Sequence, residues 1–196
     1  MGLLTFDAVS LRYTIFANNY QLLIRALCEV MDSKLRKILV FGNSGAGKST
    51  LSKKISFDEN IAHLDLDTLA FKKDSPMQRR EIDESIKEIE AFLEQHDTWV
   101  IEGGYADIFE YLLSKANEMI YLDLSAENCQ ENARNRLWEP HKYESKKAQD
   151  KNLDMLLDWI LDYYSRNDTF SKSSHNALFD DFTGKKVRVT SNEVIT

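Results

Sequence analysis

The stretch Gly42-Asn43-Ser44-Gly45-Ala46-Gly47-Lys48-Ser49-Thr50 follows the apolar run Ile38-Leu39-Val40-Phe41 and precedes Leu51-Ser52-Lys53-Lys54-Ile55. Its spacing is G-x-x-x-x-G-K-[ST] and its flanks read as strand before and helix after, the signature of a triphosphate-binding loop. Gly42, Gly45 and Gly47 allow left-handed backbone dihedrals, so that successive N–H groups turn inward around an anion. The helix beginning near Lys48 adds its positive end and unpaired N–H groups. The backbone over Gly42–Thr50 is therefore expected to cradle the phosphates of ATP. Lys48 would reach the β- and γ-phosphates, and the Ser49 hydroxyl would hold Mg²⁺. A chance glycine-rich turn is the bland alternative, and the strand and helix flanks count against it.

The chain has 196 residues, a net charge of -7 and 43% hydrophobic residues, which suits one α/β domain with a full core. The acidic balance argues against nucleic acid as a partner, whose footprint would be a basic face. Cys28 and Cys129 stand far apart without metal-ligand spacing, so a reducing cytoplasm is the expected compartment. No run approaches a membrane span. Monomer and homodimer both remain open.

Residues 1–30 are aromatic and leucine-rich and precede the first strand. They are expected to be an accessory extension, with Met31 as an alternative physiological start. The domain proper would run over 31–196. Ile61 to Asp67 alternates like a strand ending in two carboxylates, and Lys72 to Pro76 reads as a loop. Gln78 to His96 carries an apolar stripe at helical spacing, Ile82, Ile86, Ile89 and Phe92. Thr98 to Ile101 and Met119 to Leu124 read as strands, with a helix over Asp107 to Ala116 between them. Ser125 caps a helix reaching about Trp138, with Asn128 at the capping-box position. Helices over Asn152–Arg166 and Lys172–Phe182 lead to a last strand, Lys186–Thr190. The alternation predicts a parallel sheet covered on both faces.

Ligands of such sheets sit outside the carboxyl ends of the strands. Those ends deliver the phosphate loop, Asp65 with Asp67, Glu102 with Gly103 and Gly104, Asp123 with Ser125, and Thr190-Ser191-Asn192. On a strand Asp65 and Asp67 would share one face, one serving Mg²⁺ and the other an acceptor hydroxyl; turn-capping aspartates are the alternative. Glu102 stands where an acid for metal or water is expected. Arg134 and Arg136 are two apart, so on a helix they cannot face the same way, and one of them would reach the phosphates. Arg79-Arg80 and Arg166 are candidates for an anion on the acceptor, or else surface and helix-end cations.

The order of parts resembles the small P-loop kinases, adenylate kinase, shikimate kinase and gluconate kinase, over roughly residues 36–195. That resemblance implies a three-layer α/β/α fold with five parallel strands in the order 2-3-1-4-5. It also implies an acceptor-binding insertion over 68–97, a lid over 134–150, and Ser191 in the loop that packs on adenine. The strings HLDLDTLAF, WVIEGGY, NRLWEPHKY and DWILDYYSR look like a bacterial group related to adenylate kinase and labelled topology modulation protein. Asp65-Leu66-Asp67 and Gly103-Gly104 depart from adenylate kinase and look like shikimate kinase, whose acceptor is a hydroxyl on a small carboxylated ring.

These observations lead to the expectation of an ATP- and Mg²⁺-dependent phosphotransferase acting on a small nucleotide or hydroxylated metabolite. Lys48, Asp67, Glu102 and Arg136 would be catalytic, with Ser49, Asp65 and Glu102 toward metal. The nucleotide would be held by 42–50 with Arg134 and Ser191. Asp65, Asp67, Arg80, Gly103, Gly104, Tyr105 and Arg166 would face the acceptor. The alternative is a nucleotide-dependent ATPase switch or regulator associated with DNA.

Overall fold

Ile38, Leu39, Val40 and Phe41 are wholly buried, as a strand covered on both faces requires. They form β1 (Lys37–Gly42) in a computed structural model that describes residues 35–72, 75–139 and 144–192. The extension expected over 1–30 lies outside the described residues, as do His141 and Lys142 of the expected lid.

After β1 come α1 (Lys48–Glu59), β2 (Ala62–Asp65), α2 (Asp67–Ala70), β3 (Phe71–Lys72), β4 (Ser75–Arg79) and α3 (Ile82–Gln95). Then follow β5 (Trp99–Gly103), α4 (Ala106–Leu112), β6 (Glu118–Leu122), α5 (Ala126–Asn135) and α6 (Lys146–Lys151). The described chain closes with α7 (Leu153–Asp162), α8 (Lys172–Asp181) and β7 (Lys185–Val189). Five strands make one sheet in the order β2-β5-β1-β6-β7, and every pairing in it is parallel. Counted without the separate β3–β4 hairpin, this is the expected order 2-3-1-4-5. Leu39, Phe41 and Ile101 pack one face against Ile89, Phe109 and Leu178. Ile38, Val40 and Val100 pack the other against Ala46, Cys129 and Ile160. The result is the three-layer P-loop fold.

Charge ties down the end of the sheet remote from the loop. Arg36 grips Glu118 of β6 through two bonds of 2.7 Å and also meets Glu59, while Lys185 of the edge strand β7 reaches Glu118 at 3.0 Å. The Arg36 guanidinium holds the Glu118 carboxyl below the ordinary carboxylate range.

Three expectations change. The helix expected from Gln78 begins at Ile82, because 75–79 pair back on Phe71 and Lys72 as an antiparallel hairpin. Asp67 is not on the strand with Asp65: Leu66, pinned by its N–H to the Glu102 carbonyl at 2.9 Å, turns to helical dihedrals and Asp67 opens α2. The helix expected to reach Trp138 stops at Asn135. Beyond it the buried Gln149 side chain bonds the Leu137 carbonyl and the Glu139 N–H, offering this backbone partners outside a helix.

Candidate active site

The loop between β1 and α1 is shaped by positions that admit no side chain. A Cβ at Gly42 would lie 2.4 Å from the Leu122 carbonyl oxygen, and one at Gly45, where φ is +76°, would lie 2.3 Å from that of Cys129. Gly47 takes φ 88° at the N-terminus of α1. Asn43, almost fully buried, clamps the loop from inside: its Oδ1 accepts from the Ser44 N–H at 2.8 Å and its Nδ2 donates to the Ile160 carbonyl at 3.0 Å. Lys48 Nζ donates to the Asn43 carbonyl at 2.9 Å, so its ammonium lies along the loop rather than out in solvent. Asn132 of α5 donates to the Gly45 carbonyl at 2.9 Å and exchanges 3.1 Å bonds with Asn192. Those two asparagines join the loop to the segment after β7, where sequence reasoning had singled out Arg134 and the neighbouring Ser191. Sequence offered no signal that the two would pair, because they stand far apart in the chain and asparagines are commonplace.

Glu102 closes β5 in register with Val40 of β1 and Asp65 of β2. By strand alternation its side chain shares a face with Val100, the face that α1 covers. It is 1% exposed, and its Oε1 has no hydrogen-bond partner; His63 Nε2 stands 3.8 Å away and is likewise unbonded. Ser52 Oγ of α1 is a third buried oxygen without a partner. An ionised carboxylate left in this state is costly unless a cation or a donor joins it. The unpartnered Glu102 oxygen is one that a cation such as Mg²⁺ would satisfy. His63 stands two residues before Asp65 on β2, a spacing that puts both side chains on one face of the strand.

The two aspartates separate by role. Asp65 Oδ1 accepts from the Asp67 N–H at 2.9 Å, and its carbonyl accepts from the Thr68 hydroxyl at 2.6 Å, as in a turn-capping aspartate. Asp67 presents its carboxylate from the first turn of α2, where the Tyr105 hydroxyl donates to Oδ1 at 2.7 Å. Burial, then Asp67, push the Tyr105 phenol far up, so it stays a donor. A Cβ at Gly103 would meet Tyr105 at 2.9 Å, whereas one at Gly104 would have only the Gly42 carbonyl at 3.7 Å and Phe170 at 3.8 Å near it. Gly104 therefore lies beside the start of the phosphate loop with room in front of it.

The arginines sort differently from expectation. Arg80 is committed to α3, with Glu88 at 2.7 Å and Glu84 at 3.4 Å. Arg79 turns the other way, paired with Asp107 at 2.8 Å and lying over the Tyr105 and Phe170 rings at 5.3 and 5.4 Å. Arg166 lies flat on Trp159 at 3.4 Å, with Phe170 at 5.9 Å and Asp168 at 3.2 Å. Arg79 and Arg166 thus converge on Phe170, next to Gly104. Arg134 and Arg136, expected to diverge on one helix, line the same small cavity with Lys146 and Gln149, because α5 ends before Arg136. Arg136 is held there by Glu139 at 3.0 Å. Asp123 is enclosed by Lys172 at 3.0 Å and Arg188 at 3.1 Å, a structural ion cluster. Among the described residues no group of three or more His, Cys, Asp or Glu forms a metal cluster, and no helix is long and apolar enough to cross a membrane.

A family model described as AAA domain matches residues 38–152, more than half of the chain. The chain belongs to this AAA domain family. The matched part of the AAA domain runs from β1 through α6 and takes in the phosphate loop, Asp67, Glu102 and Arg136; Arg166, His175 and Asn192 lie beyond it. Solved structures similar to it include shikimate kinase from Bacteroides thetaiotaomicron, at 15% identity and TM-score 0.41, over 74% of this chain and 97% of that one. Another is a sugar kinase from Janibacter sp. HTCC2649, at 11% identity and TM-score 0.46, over 82% of this chain and 90% of that one. No curated protein sequence matches the chain. With its glycine loop and parallel sheet, this AAA domain is a P-loop domain.

Proposed function

We propose that the protein is an ATP- and Mg²⁺-dependent phosphotransferase acting on a small hydroxylated acceptor, a nucleotide or metabolite carrying an anionic group. The observation that carries this reading is the second set of polar groups beside the phosphate loop. Tyr105 holds Asp67, and Arg79 and Arg166 lie over Phe170, whose ring stands 3.8 Å from where a Gly104 Cβ would be. A protein that only hydrolysed ATP would need a water there, not this set of an acid and two cations.

The loop backbone over Gly42–Gly47, with Lys48, would hold the triphosphate, and Ser49 with Glu102 would hold Mg²⁺. When bound, Mg-ATP supplies the phosphoryl group and the cation that offsets its charge. Asp67, fixed by Tyr105, orients the acceptor hydroxyl and takes its proton as that oxygen attacks. Arg166, stacked on Trp159, offers its terminal nitrogens to the acceptor's anion, with Arg79 as second cation. Arg136 and Arg134, in the 134–150 segment, belong to the side that would close over the nucleotide and exclude water. The likeness to the topology modulation group rests on sequence strings alone.

Label from γ-phosphate-labelled ATP tests the reading. It is expected in an organic phosphate when nucleoside monophosphates and hydroxy acids are supplied. Label found solely as inorganic phosphate with every pool would replace the phosphotransferase by an ATPase switch.

A further inference from the structure

His175, on α8, is 1% exposed and uses both ring nitrogens. Nδ1 lies 2.9 Å from the Tyr163 hydroxyl, which lies 2.8 Å from that of Tyr121, and both tyrosines are buried to within 1%. Nε2 lies 3.0 Å from the Gly104 carbonyl oxygen. Three polar heads in a sheet core are costly to place there, and no step proposed above uses them.

Their donors and acceptors run one way. A carbonyl oxygen only accepts, so Nε2 carries the proton and donates to Gly104. In a neutral imidazole Nδ1 is then an acceptor, so Tyr163 donates to it, and the Tyr163 oxygen in turn accepts from Tyr121. Burial pushes the His175 pKa down to about 4, so at neutral pH the ring is neutral. Gly104 has no side chain, and the nearest atoms to a Cβ there would be 3.7 Å away. Among the described residues the histidine makes the one hydrogen bond recorded to its carbonyl.

We propose that His175 is a positioning residue for the acceptor end of the site: by donating Nε2–H to the Gly104 carbonyl it fixes the Gly104–Tyr105 peptide and so the Tyr105–Asp67 pair, while Tyr163 and Tyr121 select the tautomer that donates. Its effect on turnover rests on the phosphotransferase reading; its effect on the peptide does not.

Two amide variants of the full chain separate positioning from simple core filling. In His175→Gln the side-chain nitrogen reaches about as far as Nε2 and can still donate to Gly104. In His175→Asn the amide reaches only to the Nδ1 position, keeping Tyr163 and losing Gly104. Nitrogen-15 NMR of the unmodified protein is expected to show His175 as the Nε2–H tautomer, and an Nδ1–H tautomer would overturn the proposal. The Tyr105 amide resonance should stay in place in the Gln variant and move in the Asn variant; the reverse pattern, or no movement in either, would also overturn it. With pooled nucleoside monophosphates and hydroxy acids, acceptor-dependent ADP release from Mg-ATP should fall about tenfold or more in the Asn variant alone, the scale of a misplaced reacting group. Mg-ADP affinity should stay within about twofold in both, since the loop keeps its own contacts. An Asn variant that loses Mg-ADP affinity as much as turnover contradicts positioning. If no pool elicits turnover from the unmodified protein, the phosphotransferase reading fails, and the two NMR readouts still decide the role of His175.

Discussion

Tyr105 holds Asp67 through a 2.7 Å hydrogen bond that joins the start of α4 to the first turn of α2. Asp65, two residues earlier, spends its Oδ1 on the Asp67 N–H. One aspartate therefore builds the turn and the other is held by Tyr105. Asp67→Asn should lower acceptor-dependent turnover by about 10²- to 10⁴-fold, the span of a lost general base. Tyr105→Phe should lower it less, and Asp65→Asn should mainly cost stability, about 1 kcal/mol. Steady-state kinetics and thermal unfolding of the three variants check the division. Equal activity losses at Asp65 and Asp67 would contradict it.

Neighbouring glycines should respond oppositely. At Gly104 a methyl group has room, so Gly104→Ala should leave unfolding within about 0.5 kcal/mol of the parent while hindering the acceptor. At Gly103 the methyl would sit 2.9 Å from the Tyr105 ring and 3.1 Å from Leu66, so overpacking should destabilise by about 1–3 kcal/mol. Urea midpoints measured beside activity distinguish the two.

Stability should depend on pH through His175. Its pKa is ordinary in the unfolded chain and about 4 in the fold, chiefly from burial, with the Lys48 charge adding and Asp123 and Asp168 opposing. The unfolded state therefore binds the proton first as pH falls, and stability declines between about 6.5 and 4, by up to about 3 kcal/mol. Above that window the contribution is constant. His175→Gln should flatten this part of the melting-temperature profile. An unchanged slope in that window would contradict it, because a carboxylate held below its ordinary range, such as Glu118, loses its contribution only at lower pH.

Arg166 and Arg80 make a further contrast. Arg166→Lys removes the flat stack on Trp159 and the forked donor, and should raise the acceptor KM about 10-fold or more. Arg80→Ala removes contacts to Glu84, Glu88 and the Leu69 carbonyl and should change KM less than about twofold. Initial rates against acceptor concentration decide it.

The phosphate loop and the parallel sheet were legible because they are local: a fixed glycine spacing, buried apolar runs, and helices between strands; the strand order came from the resemblance to the small P-loop kinases. What depended on where a turn falls was not. Strand alternation gave Asp67 the same face as Asp65, yet the Asp65 carboxylate, accepting from the Asp67 N–H, turns the chain into α2 first. Arg79 and Arg80 are adjacent letters, and the β3–β4 hairpin decides which of them faces Phe170. His175 shares a helical stripe with the buried Leu178, and a polar residue in such a stripe was a signal that went unread. The Asn132–Asn192 pair spans 60 residues and carries no local pattern.

ADP release from Mg-ATP, measured with and without pools of nucleoside monophosphates and hydroxylated metabolites, tests the central claim most directly, with Lys48→Ala as the blank. The account predicts that at least one pool accelerates release, that the acceleration disappears in Lys48→Ala, and that dividing the pool isolates one acceptor. Slow release indifferent to every pool, though still abolished in Lys48→Ala, would contradict it and leave an ATPase switch.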